Sequence, residues 1–355
     1  MFKKKLNLIK FLILFVILLF LILEFNIQSQ NDLFYTIDLN SLYQNVNRPL
    51  CDCKKNEKIE IVRTEEKIRI KTTNKDYTLT LDEFINSKMS CNANSVLKRG
   101  PNQKVISYSV FGTNPFYFRY LELILKTAKI VFPDWVVRFY HDDSFDKKFI
   151  CNLECKYDNV DFCNVNKLLY QDFSPDFMIP TFWRWLPIGD KFVDVFLSRD
   201  SDFCLVERDR DAVLAWLNSS NLFHVMRDHP FHDIFMLAGL WGFKTREDRN
   251  LAQKVFKTIF NPHLKSWHDS YRGEKQADQI FLKKYLWSTV KSNATVHDSF
   301  NCGKLGGEPF PSQRSSLYCH VGGYGCCGPE FSNSSFPHEC PYGCRPKEHK
   351  EWLFC

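Results

Sequence analysis

The sequence predicts an α/β protein: a mainly parallel sheet flanked by helices, preceded by one apolar anchor and followed by a cysteine-rich tail. Three observations predict it. Strand-like apolar runs alternate with helix-period segments between Val105 and Met226. An unbroken run of thirteen apolar residues fills positions 11–23. All fourteen cysteines follow that run, and seven of them lie between Cys302 and Cys355. With 45% hydrophobic and 25% charged residues, the 355-residue chain can bury a sizeable core, which excludes overall disorder.

The apolar run comes first. Extended back to Leu6 it is roughly 27 Å long as a helix, close to the hydrocarbon thickness of a bilayer. Lys3, Lys4, Lys5 and Lys10 precede or flank it, and Glu24 follows. The positive-inside rule then puts residues 1–10 in the cytosol, residues 11–25 across the membrane and the rest in a lumen or outside. This makes a single-pass type II membrane protein of the Golgi or endoplasmic reticulum, or a secreted one if the segment is a cleaved signal peptide. The cysteines fit that address. An even count in an exported chain reads as disulfides; zinc ligation by the tail is the poorer alternative, because its spacing does not suit. Three N-x-[ST] acceptors, at Asn218, Asn293 and Asn333, agree with it. The four N-terminal lysines carry most of the net charge of +6. The remainder is too nearly neutral for a nucleic-acid surface.

Residues 26–103 are polar and mixed, and read as a stem or spacer with a short hairpin between Lys58 and Leu81. Organisation begins with a strand over residues 105–110. Asn114 caps a helix that Pro115 opens, and Leu121, Ile124, Leu125, Ala128, Val131 and Phe132 follow at helical spacing until Pro133 ends it. A second strand, 135–140, runs into His141-Asp142-Asp143. Helical 181–186 leads into a strand over 192–197, helical 207–217 into a strand over 222–226. The α/β region is expected over 104–321 and the tail over 322–355.

In such sheets, ligands sit beyond the carboxyl ends of the strands. The strand 192–197 runs straight into Ser198-Arg199-Asp200-Ser201-Asp202. Two carboxylates one residue apart after a strand can turn toward one divalent cation. Hard oxygen ligands suit Mg2+ or Mn2+, which keep positions open for substrate phosphates. In an exported protein, a cation with a diphosphate points to a nucleotide sugar.

Here the chain resembles the GT-A family of nucleotide-sugar-dependent glycosyltransferases, which have a Rossmann-like fold. The resemblance spans residues 104–321. It rests on Phe182-Trp183-Arg184-Trp185-Leu186-Pro187 leading to Asp200-Ser201-Asp202, then on Met226-Arg227-Asp228-His229-Pro230, Ala238-Gly239-Leu240-Trp241-Gly242, Asp278-Gln279-Ile280 and His297-Asp298-Ser299, in that order. It implies a metal held by Asp200, Asp202 and a later histidine, His297 by order along the chain, with His268 the alternative. The Gly-Gly-x-Tyr and His-x-x-Gly-x-x-Lys-Pro-Trp patterns of related enzymes are absent.

Other roles follow with their alternatives. Asp278 and Gln279 either meet the sugar or stand at a helix N-terminus. Asp228 is an acid/base candidate, with Arg227 beside it in sugar or acceptor binding; a structural ion-pair loop is the alternative. His229 and His232 with Asp228 and Asp233 compose a possible second metal site. Gly239 would let a sugar ring approach the backbone, and Trp241 would stack on the ring or fill the core. Arg184 contacts donor phosphate or forms a buried ion pair. Asp142 and Asp143 lie where the nucleotide base and ribose sit in this fold. The expected partners are a nucleotide-sugar donor and a glycan, glycoprotein or lipid acceptor, with no nucleic acid. Two other readings remain: a non-catalytic exported sugar-binding protein on a degenerate transferase fold, and a metal-dependent phosphate-ester hydrolase.

Overall fold

The structure is a computed structural model that describes Val46 and residues 51–54, 58–168, 177–314, 319–323 and 338–355. The apolar run and the acceptor Asn333 lie outside the described residues. No helix among the described residues is long and apolar enough to cross a membrane.

Residues expected to be a spacer fold into a three-stranded antiparallel sheet: β1 (Glu60–Arg63), β2 (Lys67–Lys71) and β3 (Asp76–Thr80). Strand β2 reads Lys-Ile-Arg-Ile-Lys, and its period of two buries Ile68 and Ile70 while the charges face water. Those isoleucines join the core that holds Val96, Leu97 and Val105. Thr80 and Glu83 form a reciprocal capping box on the helix Leu81–Ile85 that follows.

The main sheet has seven strands: β4 (Gln103–Ser109), β5 (Val136–His141), β6 (Val160–Asn164), β7 (Val193–Ser198), β8 (Phe223–Arg227), β9 (Trp241–Phe243) and β10 (Ala294–Asp298). Their spatial order is β10-β8-β9-β7-β4-β5-β6, and only β9 runs antiparallel to its neighbours. The expected strands are present with shifts of one or two residues at their ends. Three short strands carry too little periodic signal to read from sequence: β6, β9 and β10. Burial on both faces gives β6 and β9 no alternation to detect, and β10 buries the polar Thr295 and His297 in place of an apolar alternation.

From β4 the chain steps outward to β5 and β6, then returns to lay β7 on the other side of β4. The order therefore reverses between β4 and β7. That reversal opens a crevice at their carboxyl ends, the usual ligand position in an open α/β sheet. A long 3-10 segment, Pro180–Gly189, crosses this end. Ser109, the last residue of β4, pins it: its hydroxyl donates to Thr181 O at 3.2 Å and accepts from Arg184 N at 2.8 Å.

Five disulfides are defined among the described residues: Cys51–Cys151, Cys53–Cys155, Cys91–Cys163, Cys302–Cys344 and Cys340–Cys355. Cys204 and Cys319 are disulfide-bonded as well. The first two join one short segment to successive turns of the helix Lys147–Lys156, across sequence separations of 100 and 102. Either bond alone therefore closes nearly the whole loop. The chain-entropy treatment gives about 2–3 kcal/mol for losing one pair and about 7 kcal/mol for losing both. Guanidinium unfolding of C51S/C151S, C53S/C155S and the quadruple variant measures this. Two single-pair losses that sum to the quadruple loss would mean that the loops close independently.

Candidate functional site

The ladder between β4 and β7 ends where Arg199 N donates to Ser107 O at 3.0 Å. Beyond it the side chains alternate. Arg199 turns inward and is fully buried, paired with Asp209 at 2.7 Å. Asp200 turns outward, with 45% of its side chain exposed. Ser201 is buried and Asp202 half-buried. The Arg199–Asp209 pair anchors the loop from beneath, and Asp200 faces outward at the crevice.

Arg184 reaches the same place from the 3-10 segment. Its guanidinium pairs with Asp200 through Nη1 and with Asp278 through Nη2, the latter at 2.6 Å. Asp278 comes from the short helix Ala277–Phe281 and is almost fully buried. Burial raises the Asp278 carboxyl above its ordinary value against the pull of Arg184, and neighbouring Asp200 pushes the same way. Burial also works against the charge on Arg184. Asp200, Asp278 and Asp202 outweigh it and hold the guanidinium above its ordinary value. Two carboxylates thus hold one guanidinium, and Asp202 adds its charge from further off.

Gly239 completes this wall from the loop before β9. A Cβ there would overlap the Asp200 carboxylate. The glycine therefore makes room for a candidate metal ligand, where a sugar ring was expected. Ser198 fixes the loop: its hydroxyl donates to Ala238 O at 2.6 Å and accepts from Trp185 Nε1 at 3.1 Å.

Several expectations are corrected by the packing. Trp241 is fully buried between Trp185 and Phe196, with ring centroids at 6.0 and 5.1 Å. It is a core side chain with no face for a sugar. His297 points into the protein from edge strand β10, where its Nδ1 meets His224 Nε2 at 2.8 Å. Burial pushes its imidazole down to about 4. It does not join Asp200 and Asp202, and among the described residues no three His, Cys, Asp or Glu side chains form a ready-made metal site. The alternative His268 is buried among Phe177, Phe182 and Trp267.

Asp228 is fully buried, bound by Arg208 at 2.9 Å, Ser299 Oγ at 2.5 Å and Val321 N at 2.8 Å. Burial opposes its ionisation, but Arg208 and Arg314 hold the carboxyl down at about 2. A carboxylate so held exchanges no proton near neutral pH, so it is a structural hub rather than an acid/base group. Arg227 is buried against Asp298 and is equally structural. The second metal site is not formed either, since Asp228 is consumed and His232 Nδ1 accepts from Asp228 N at 3.1 Å. His320 instead joins His229 and His232, with centroids 4.6 and 5.9 Å away. Its sequence neighbourhood carries no strand or helix period that would have singled it out.

Asp142 and Asp143 follow β5, one strand from the reversal. Asp142 accepts from Ser144 N at 3.0 Å. Hydrogen bonds from Asn166, Asn164 and Lys167 hold the Asp143 carboxyl at about 2. Gln279 is half-buried beside Asp278.

No family model and no curated protein matches the sequence. Solved structures do. The chain is similar to the galactosyltransferase LgtC in complex with donor and acceptor sugar analogues, at 16% identity and a TM-score of 0.36, covering 55% of this chain and 73% of that one. It is similar to the glycosyltransferase GlyE of Streptococcus pneumoniae TIGR4 at 14% identity and a TM-score of 0.36, covering 55% and 45%. A third is S. aureus TarS 1–349, at 12% identity and a TM-score of 0.35, covering 55% and 57%.

Proposed function

We propose that this protein is a GT-A-type glycosyltransferase that takes a nucleotide-sugar donor with Mn2+ or Mg2+ and transfers the sugar to a glycan, glycoprotein or lipid acceptor. One observation carries the reading. At the reversal crevice, Asp200, Asp202 and Asp278 oppose a single guanidinium, Arg184. The balance of minus two fits a divalent cation. Mg2+ and Mn2+ use one or two carboxylates and fill their other positions with water and substrate phosphate. Asp200 and Asp202 suffice as protein ligands on that basis, and no histidine is needed. Bound there, the cation would neutralise charge on the departing nucleoside diphosphate.

The chain's own residues prepare the rest. Arg199 and Asp209 hold the Asp-x-Asp loop, and Gly239 leaves it space. Arg184 would offer Nη1 to a phosphate or sugar oxygen once a cation takes Asp200. Buried Asp278 holds Arg184 Nη2 and would keep that guanidinium at the donor. The alternative of a sugar-binding protein without catalysis lacks a reason for this charge arrangement.

Calorimetry on the full-length chain in detergent, with UDP- and GDP-sugars and with or without Mn2+, tests the reading. Mn2+-dependent binding of one nucleotide sugar is the expected result. A folded protein that binds none would refute it.

We also propose export through the secretory pathway as a type II membrane protein. The disulfides and the N-terminal run support it. Asn218 is exposed at the end of the helix Glu207–Leu217, away from the carboxyl edge of the sheet. The expected outcome is an N-glycan at Asn218 in chain expressed in a eukaryotic host, seen as a mass shift on amidase treatment and lost in N218Q. An unmodified Asn218 in chain recovered from such a host would count against export.

A further inference from the structure

We infer that Arg184 serves as the built-in counter-cation of the Asp-x-Asp, so that the metal and the donor enter the site together rather than separately. The inference rests on the transferase reading for the donor, while its cation arm is tested independently of transfer.

The argument starts from Asp200. It is far more exposed than Asp278 and a candidate metal ligand, yet its Oδ1 is already occupied by Arg184 Nη1. The other amino group of the same guanidinium is held by Asp278, at 2.6 Å. Arg184 is itself only 5% exposed, pinned through its backbone N to Ser109 Oγ at 2.8 Å. It is therefore a fixed positive charge beside the place a divalent cation would take. An incoming cation meets two costs: repulsion from that charge, and loss of the Arg184–Asp200 pair. Such charges interact strongly where water is partly excluded.

A donor diphosphate removes both costs. It supplies negative charge on the far side of the cation, and it gives Arg184 Nη1 a substitute acceptor for the Asp200 bond it gives up. Cation affinity should then depend on the nucleotide, and nucleotide affinity on the cation by the same factor. Asp278 keeps Arg184 in reach throughout, because its own bond to Nη2 need not break. Arg184 thus couples the two ligands, because the prong it withdraws from Asp200 passes to the phosphate.

The test is Mn2+ binding to the full-length chain in detergent, read by electron paramagnetic resonance of free Mn2+, with and without UDP or GDP. Wild type is expected to bind Mn2+ at least about tenfold more tightly when its nucleotide is present. Arg184→Gln is expected to bind Mn2+ alone at least about tenfold more tightly than wild type, and to lose most of the nucleotide's enhancement. Arg184→Lys, which keeps the charge, should bind Mn2+ alone about as weakly as wild type. A folded Arg184→Gln whose Mn2+ affinity is unchanged or weaker overturns the inference. Asp278→Asn provides a second, opposite reading, since it removes one carboxylate and leaves Arg184 wholly to Asp200. It should weaken Mn2+ binding about threefold or more, and tighter binding there would also overturn the inference. Wild type that takes up no Mn2+ with either nucleotide refutes the transferase reading, and this inference with it.

Discussion

Replacing Asp200 and Asp202 together with alanine is expected to lower sugar transfer by about a thousandfold or more while leaving the fold intact. The rate loss follows from the chemistry at the leaving group. On the proposed reading, these two carboxylates hold the divalent cation against the diphosphate, and several kcal/mol of charge stabilisation are lost with them. Arg184 remains, but a single guanidinium with Asp278 on its other prong does not replace two positive charges. The fold survives because Asp200 is nearly half exposed and Asp202 half-buried, while the loop itself hangs on Arg199 and Asp209. Removing exposed carboxylates beside one another also relieves their repulsion. The measurement is turnover of the donor identified by calorimetry, beside an unfolding curve. A double variant that retains transfer within tenfold of wild type would remove the cation from the reaction.

The contrast between what the sequence predicts and what the structure places has a physical cause. The Asp-x-Asp, the strand before it and the helix Glu207–Leu217 carry local signals: an apolar run, a polar turn, a helical period. They need only neighbouring residues to be read. The same holds for β4 and β5, whose apolar runs end in turn residues. Roles that depend on which face a side chain takes after folding could not be read this way. Trp241 and Asp228 look like site residues because they stand at strand ends with polar or small neighbours. Packing decides otherwise: β9 buries the indole against Trp185, and Arg208 and Ser299 close over the carboxylate from distant parts of the chain. His297 shows the limit of order along a chain. It follows Asp278 as expected, but β10 lies at the far edge of the sheet from β7, with β8 and β9 between them. Spatial order in a doubly wound sheet is not sequence order. Arg184 is the reverse case, where the buried ion pair given as the alternative is the one observed. It is buried in ion pairs, and one of its partners is the Asp-x-Asp itself.

Asp228→Ala is expected to destabilise the protein by about 3–5 kcal/mol, because it removes the carboxylate that pairs with buried Arg208 and lies beside buried Arg314. Arg208 is almost fully buried and holds Asp228 through Nε and Nη2, at 2.9 and 3.0 Å. Ser299 Oγ and Val321 N would lose their acceptor in the same step. Asp228→Asn should cost less than alanine, since its carbonyl oxygen still accepts one of those bonds, but it leaves the buried charge uncompensated. The pH dependence has a definite sign. The folded carboxyl sits at about 2, below its ordinary value of 3.8, so its contribution to stability is complete above pH 4. It is lost as pH falls from about 4 through 2, with protonation of the folded state. Wild type should therefore lose stability in acid over that window more steeply than Asp228→Asn, whose amide does not titrate. Urea unfolding of the three proteins between pH 2 and pH 7 measures both effects. An Asp228→Asn protein with unchanged unfolding free energy but abolished transfer would return Asp228 to the reacting centre, and would place Arg208 beside it as the residue that keeps it ionised.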